Sequence, residues 1–499
     1  MIQKDFALPA DAAQCAPQRA GETPLCVDLD GTLILTDVLW ESVLLLAAQN
    51  PLCLLLIPVW LMKGRAYLKR EIARRVELDP RSLPYNQEFL TYLRAEKSSG
   101  RVLILVTASD LKLAEPIAEH LGLFSEVMAS SGGENLKGAR KREALTRRFG
   151  ERGYDYAGNS RADIAVWTGC RRAVVVNASA RVRAAAGSVT TVETAFAPRR
   201  AGLSVYLRAI RAYQWVKNLL VFLPVLTSHQ LFDLDPMKRA FFALIAFSLC
   251  ASSVYLLNDL LDLQSDRLHS TKRKRPFAAG RLSIPAGLVL VVVLLAGSAA
   301  TSLLLPWQFQ VILAIYYALT LSYSLSLKRK VLVDIFVLGG LYAIRVLAGS
   351  AATGITPSPW LLAFCLFFFL NLALVKRFIE LRDKKEEHAA PVAGRGYYAG
   401  DLQPIGSFGT GSGFMSVLVL ALYINSPQVI PLYRSPSILW FLCPLLLYWI
   451  SRVWLLAYRG KLHSDPVLFT LRDKVSYLTA LCGGVILTLA AHGLHFLSR

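Results

Sequence analysis

Leu25-Cys26-Val27-Asp28-Leu29-Asp30-Gly31-Thr32-Leu33 is the stretch that decides the fold of the N-terminal part. Three apolar residues suited to a buried strand run straight into Asp28 and Asp30, and Gly31 marks a turn. Carboxylates held at such a place are kept for chemistry more often than for stability. Taken alone, Asp-Gly is also a common turn pair, so the reading needs support from the rest of the chain. Apolar runs recur at Val102–Val106, Tyr154–Ala157 and Ala173–Asn177, with helical stretches between them. Strands alternating with helices predict a parallel α/β sheet over about residues 22–190.

Beyond about residue 200 the composition changes. The chain has 499 residues, is 54% apolar and carries a formal net charge of +20. Apolar runs of near-spanning length lie at roughly 215–232, 240–257, 284–304, 308–326, 332–351, 359–376, 413–431, 437–457 and 475–497, predicting about nine transmembrane helices. Threaded from a cytoplasmic N-terminus, they place Arg267, Lys272–Arg275, Arg281, Lys328–Lys330, Arg382, Lys384, Lys385, Arg459, Lys461, Arg472 and Lys474 in cytoplasmic loops. The opposite loops hold little beyond Lys238, Arg239 and Arg434, so the positive-inside rule is met throughout. The positive charge therefore reflects membrane orientation and anionic partners, and no nucleic-acid partner is expected. Cys15, Cys26, Cys53, Cys170, Cys250, Cys365, Cys443 and Cys482 form no CxxC pair or zinc spacing and read as reduced thiols. Met1–Ala20 lacks the apolar core of a cleavable signal. A linker is expected near Ala195–Leu203.

Val43–Met62 is nearly all apolar, yet Pro51 and Pro58 interrupt it. A single crossing would separate Asp28 from Val102–Thr107 by a bilayer. A monotopic helical hairpin or a buried cap helix is expected instead.

Asp28-x-Asp30-Gly31-Thr32 after an apolar strand resembles the first motif of the haloacid dehalogenase superfamily of phosphohydrolases. The second motif fits Val102–Thr107, the lysine fits Asn135-Leu136-Lys137-Gly138, and the acidic fourth motif fits Gly158-Asn159-Ser160-Arg161-Ala162-Asp163. The resemblance implies a Rossmann-like α/β domain over about 1–200 with a helical cap at about 34–100. It implies Asp28 as nucleophile, Asp30 as acid and base, and Thr107 and Lys137 as phosphoryl ligands. Mg²⁺ would be held by Asp28, Asp30 and Asp163, with Asn159 nearby. Asn159 departs from the family's usual aspartate and removes one negative charge. The apolar stretch inside the cap suggests a lid that touches lipid.

The second signature is Asn258-Asp259-Leu260-Leu261-Asp262, continuing to Asp266 and His269, then Lys272 and Arg275. Spacings of 3, 4 and 3 put Asp259, Asp262, Asp266 and His269 on one face of a continuous helix, within roughly 80°. Three carboxylates on one face call for a cation, and Mg²⁺ is the natural one. Asn258–Pro276 resembles the first aspartate-rich motif of the UbiA superfamily of intramembrane prenyltransferases. Residues 206–483 more closely resemble its branch of polyprenyl-phosphate phosphoribosyltransferases, such as those acting on decaprenyl phosphate. The resemblance rests also on Arg211–Asn218, Val333-Asp334-Ile335 with Ile344-Arg345, and Lys376-Arg377-x-x-Glu380-Leu381. Where aromatic prenyltransferases carry a second aspartate cluster, this chain has Lys376, Arg377, Glu380 and Asp383.

This second resemblance implies an all-α, UbiA-like membrane domain over 201–499 that transfers 5-phosphoribosyl from phosphoribosyl diphosphate to a polyprenyl phosphate. Asp259, Asp262 and Asp266 would be catalytic and bind Mg²⁺. Lys217, Asn258, His269, Lys272, Arg275, Lys376, Arg377 and Glu380 would bind substrate. Arg345, set in an apolar span about 16 Å along a helix from Asp334, is a further phosphate candidate, with bonding to neighbouring carbonyls as the alternative. The N-terminal domain would then remove the 5-phosphate to give polyprenyl-phosphoryl-ribose. The alternative is an aromatic prenyltransferase using a polyprenyl diphosphate beside a regulatory or degenerate phosphatase. An integral membrane protein is expected, in a bacterial inner membrane with both sites cytoplasmic. Chain length of the lipid and any homo-oligomer stay open.

Overall fold

Leu25 and Val27 point to one side of their strand and Cys26 to the other, so β1 (Leu25–Val27) must be covered on both faces. The computed structural model describes residues 23–130, 135–198, 202–228, 230–384, 396–427, 429–462 and 465–492. The readings at Met1–Ala20, Cys15 and Lys385 lie outside these residues. β1 is central in a six-stranded parallel sheet with β2 (Leu103–Asp110), β3 (Glu126–Ser130), β4 (Asp155–Gly158), β5 (Arg172–Val176) and β6 (Thr191–Phe196). The order is β3-β2-β1-β4-β5-β6. Leu25, Cys26 and Val27 stand in register with Leu103, Ile104 and Leu105 on one side and Asp155, Tyr156 and Ala157 on the other. One face buries Leu25, Val27, Leu105, Phe89 and Ile117; the other buries Cys26, Ile104, Tyr156 and Trp167. The expected linker begins too early: Ala195 and Phe196 are in β6, where the Phe196 ring meets Phe89 edge-on.

The chain divides into two compact units. The first takes the described residues within 1–200 together with Gln264–Lys274 and Ala278–Arg281, and the second takes the remainder. Within the first, Val43–Met62 is three pieces: the helix Val38–Gln49, the 3-10 turn Pro51–Leu56 and the helix Ile57–Met62. Asn50 and Pro51 stop the first helix from continuing, and Pro58 lies in the first turn of the last piece. Its inner residues Leu44, Leu46 and Ala47 are buried, whereas Leu52, Leu55 and Met62 are 73%, 75% and 88% exposed. The stretch is therefore only partly covered: Leu44, Leu46, Ala47 and Trp60 join the core, and the segment from Leu52 to Met62 leaves apolar side chains exposed. Arg267 also belongs to this unit, where it grips both carboxylate oxygens of Glu41 at 2.7 and 3.0 Å.

In the second unit, eight helices among the described residues are long and apolar enough to cross a membrane: Leu234–Leu261, Ile284–Ser302, Trp307–Leu325, Val333–Thr353, Pro359–Asp383, Leu402–Ile424, Pro436–Tyr458 and Lys474–His492. The expected first span is instead a 3-10 stretch, Ala212–Phe222, followed by a short helix, Leu223–Thr227. Pro224 lies in the first turn of that helix, where its missing N–H is tolerated. The helix Leu402–Ile424 starts well before the expected 413, because its glycines are contact points. A Cβ at Gly409 would strike the Trp454 ring, and one at Gly413 would strike Ile450 and Asn371.

Candidate active sites

In the first unit, β1 ends by delivering Asp28, and the turn after it presents Asp30. Gly31 has φ +76 and lies against the Asn159 amide, so a side chain there would be both strained and obstructed. Asp28 is buried, and its Oδ1 accepts a hydrogen bond from Lys141 Nζ at 2.7 Å. Lys141 also donates to the Val106 carbonyl at 3.2 Å and to the Tyr156 hydroxyl at 2.9 Å. Tyr156 passes the chain on to Asp163 Oδ1 at 2.9 Å. Asp30 Oδ1 accepts the Val38 N–H at 2.8 Å, and Oδ2 accepts the Ser109 hydroxyl at 2.8 Å. Thr107 is fully buried in β2, its Oγ1 accepting the Ser109 N–H at 3.0 Å. Burial pushes the Asp28 carboxyl up to about 6 against the pull of Lys141. Burial, with the charges of Asp37 and Asp28, lifts Asp30 to about 7. Burial thus moves both carboxyls up toward neutrality, the range in which an acid–base group works.

Two expectations change here. Lys137 is exposed, ahead of the helix Ala139–Phe149, and the lysine on Asp28 is Lys141. Lys141 and Leu145 form the buried face of that helix, a four-residue spacing that could have marked it. Asp163 is no open metal ligand. Its Oδ2 accepts from Asn159 N, Ser160 N and Ser160 Oγ at 3.1, 2.9 and 2.7 Å, so it shapes the loop. Lys69 is a further unforeseen neighbour, reaching the Ala108 carbonyl at 2.6 Å from the cap; burial lowers its pKa.

In the second unit, the helix Leu234–Leu261 carries Asn258 and buried Asp259 near its end, and the Asn258 carbonyl accepts the Asp262 N–H at 2.9 Å. Asp259 Oδ1 accepts from Arg275 at 3.0 Å and also from Arg211. Asp262 takes Lys328 at 3.0 and 3.1 Å. The helix stops there, and a short one, Leu263–Leu268, begins next. The expected single helix face running from Asp259 to His269 is therefore broken at Asp262. Asp266, His269 and Lys272 fall in the segment grouped with the first unit; Asp266 is buried with Lys272 at 4.0 Å, and His269 is exposed.

Arg345 is buried, donating from Nε to Asn218 at 2.8 Å and from Nη2 to Tyr316 at 3.3 Å, with Nη1 on the Leu341 carbonyl. Phe247, Tyr316 and Tyr342 surround its guanidinium. These partners give it a packing role, correcting the phosphate-binding expectation. Arg377 is likewise held inside, by Asp334 and Glu380, and Tyr397 donates to Asp334 at 2.6 Å. Arg377 thus ties its helix, Pro359–Lys384, to Asp334 of Val333–Thr353, while Glu380 pairs with it one turn along the same helix. Lys217 and Lys376 share Asp465 at 2.5 and 3.7 Å.

Among the described residues no group of three or more His, Cys, Asp or Glu forms a metal cage. Mg²⁺ needs no such cage, because one or two carboxylates suffice when substrate phosphates complete its shell. Asp259 with Asp262, and Asp28 at the end of β1, supply hard oxygen donors of that kind. Residues 219–478 match the UbiA prenyltransferase family, and residues 25–167 match haloacid dehalogenase-like hydrolases. Both families are generally Mg²⁺-dependent. The chain is 38% identical over 458 residues to the uncharacterized protein y4nM of Sinorhizobium fredii, covering 91% of this chain and 88% of that one. It is 37% identical over 188 residues to decaprenyl-phosphate phosphoribosyltransferase of Mycobacterium tuberculosis, covering 37% of this chain and 62% of that one. A UbiA homolog from Archaeoglobus fulgidus, solved bound to GPP and Mg²⁺, aligns at 16% identity and TM-score 0.44, covering 57% of this chain and 99% of that one. The apolar helices and the two family matches make the chain an integral membrane enzyme that belongs to the UbiA prenyltransferase family and carries a haloacid dehalogenase-like hydrolase domain ahead of the helical one.

Proposed function

We propose that the helical unit transfers 5-phosphoribosyl from phosphoribosyl diphosphate to a polyprenyl phosphate, and that the α/β unit removes the 5-phosphate from the product. The observation that carries this reading is the 37% identity to a decaprenyl-phosphate phosphoribosyltransferase. The charge pattern supports it: Asp259 and Asp262 are faced by Arg211, Arg275 and Lys328, a setting for a substrate with several phosphates. A phosphate oxygen of the lipid attacks C1 of ribose, the bond from C1 to the diphosphate breaks, and the diphosphate leaves with the electron pair. Arg275 and Lys328 stabilise the charge gathered on the leaving group. Mg²⁺, when bound, neutralises diphosphate charge from Asp259 and Asp262.

In the α/β unit, Asp28 attacks phosphorus, the ester P–O bond breaks, and Asp30 gives its proton to the leaving oxygen. Water then attacks the aspartyl-phosphate while Asp30 takes back a proton. Lys141 offsets the charge on the phosphoryl group. Both reactions belong on the cytoplasmic side, where phosphoribosyl diphosphate is available.

The test is mass spectrometry of lipids made by the purified chain from phosphoribosyl diphosphate, Mg²⁺ and decaprenyl phosphate. Decaprenyl-phosphoryl-ribose is the expected end product, with its 5-phosphate as intermediate. Prenylation of 4-hydroxybenzoate from a prenyl diphosphate, without any ribosylated lipid, would refute the assignment.

The exposed apolar side chains between Leu52 and Met62 bear on how the hydrolase meets a lipid. Replacing Leu52, Leu55 and Met62 by Ser removes three side chains that pack on little within the chain. Hydrolysis of the lipid phosphate should fall by about tenfold or more, because the apolar area that these side chains offer to a bilayer is lost. Hydrolysis of a soluble phosphate ester should hold. Equal loss on both substrates in a folded protein would sink the idea of a lipid contact.

A further inference from the structure

Lys217 lies in the 3-10 stretch Ala212–Phe222, and Lys376 lies in the helix Pro359–Lys384. Both ammonium groups face one oxygen of one carboxylate, Asp465 Oδ2, at 2.5 and 3.7 Å. The other oxygen, Oδ1, accepts the Val467 N–H at 3.0 Å and caps the five-residue helix Pro466–Thr470. Little water reaches two of the three: the side chains of Lys217 and Asp465 are 9% and 11% exposed, whereas that of Lys376 is 35% exposed. Burial pushes the Asp465 carboxyl up, but Lys376 and Lys217 outweigh it and hold the group below its ordinary value. One negative charge therefore stands against two positive ones, and the Lys217 ammonium and the carboxylate are poorly solvated, where an unmatched charge is costly.

The same Lys217 forms part of the wall of a cavity of about 340 Å³. The rest of that wall is chiefly apolar, with Leu220, Tyr342, Phe368, Leu372 and Trp449, and Thr470 and Ser476 add hydroxyls. An apolar cavity with a buried cation at its edge matches a molecule that has a hydrocarbon body and an anionic end. A phosphate monoester carries about −1.5 to −2 charges near neutrality, which balances two ammonium groups better than one carboxylate does.

We propose that Lys217 and Lys376 are the seat of the acceptor lipid's phosphate, with its first isoprene units in the adjoining cavity, and that Asp465 fills this seat until the lipid displaces it. The proposal rests on the reading that the acceptor is a polyprenyl monophosphate. It gives Lys376 to the acceptor rather than to phosphoribosyl diphosphate, and it makes Asp465 a competitor of the substrate.

The experiment is equilibrium binding of isotope-labelled decaprenyl monophosphate to the purified full chain in detergent. Asp465→Asn keeps the cap, because an amide oxygen also accepts the Val467 N–H. It removes the competing charge, so the monophosphate should bind about tenfold tighter. Lys217→Met and Lys376→Met should each weaken binding by about tenfold or more, the loss of one charge-assisted hydrogen bond. Decaprenol, which lacks the phosphate, should bind all four proteins alike. Monophosphate affinity that stays unchanged in Asp465→Asn and in the lysine variants overturns the seat. If Lys217→Met fails to fold, Lys376→Met and Asp465→Asn carry the same test. Should the affinities shift as stated while the wild type makes no ribosylated lipid, the seat stands and the phosphoribosyl reading falls.

Discussion

Asp28→Asn should lower phosphate-ester hydrolysis by about four orders of magnitude or more, the usual consequence of losing a nucleophile. Lys141→Ala should cost about two to three orders, because it removes the cation that balances the transferring phosphoryl group. Lys137→Ala, on an exposed position, should leave the rate near that of the wild type. Phosphoribosyl transfer should continue in all three, so the 5-phosphorylated lipid accumulates in the first two. The variants differ in their effect on folding. In Asp28→Asn, Lys141 keeps its bonds to Val106 and Tyr156. In Lys141→Ala, a buried carboxylate loses its partner, a change that costs about 3 kcal/mol. Thermal unfolding of each variant therefore accompanies the rate measurement. Loss of activity in Lys137→Ala with retention in Lys141→Ala would restore Lys137 as the phosphoryl ligand.

The central strands were legible because they are buried on both sides. Val102–Val106, Tyr154–Ala157 and Ala173–Asn177 overlap β2, β4 and β5 within a residue or so at their starts. β3 and β6 carry no such signal because they are the edges of the sheet. Glu126–Ser130 is mostly half-buried and Thr191–Phe196 alternates exposed with half-buried, so neither shows a continuous apolar run. In the helical unit, hydropathy marks the eight spans and also a ninth at 215–232, where the backbone is a 3-10 stretch followed by a short helix, a local geometry that hydropathy does not see. The glycines of Leu402–Ile424 look like helix breakers until Trp454 is seen against Gly409. Site residues divide in the same way. Motif positions such as Asp28, Asp30 and Asp259 declare themselves by local spacing. Partners brought in by the fold do not: Lys217 and Asp465 are 248 residues apart, and Arg377 meets Asp334 across 43. An intramembrane arginine such as Arg345 signals that something must satisfy it, and only the packing shows that Asn218, Leu341 and Tyr316 do so.

Asp262→Asn should abolish phosphoribosyl transfer, by about two to three orders of magnitude, and leave hydrolysis of a soluble phosphate ester intact. This position separates chemistry from folding better than its neighbour does. Asp259 is 2% exposed and bound by Arg211 and Arg275, so removing its charge leaves two guanidinium groups without their shared partner. A loss of activity there could follow from a damaged fold. The Asp262 side chain is 42% exposed and pairs with Lys328 at 3.0 Å. An ion pair so open to water is worth about 1 kcal/mol or less, and an amide retains the shape. The fold should therefore tolerate Asp262→Asn, with its unfolding temperature within a few degrees of the wild type. What the substitution removes is one of the two acidic oxygen donors that can share Mg²⁺ with the diphosphate, so Mg²⁺-dependent binding of phosphoribosyl diphosphate should weaken along with the rate. Lys328→Met gives the counterpart: it removes the ammonium group that pairs with Asp262, keeps the carboxylate, and should slow transfer by less than Asp262→Asn does. Normal transfer by a folded Asp262→Asn protein would remove this carboxylate from the reaction. Loss of both activities in that protein would mean that the two sites do not work separately.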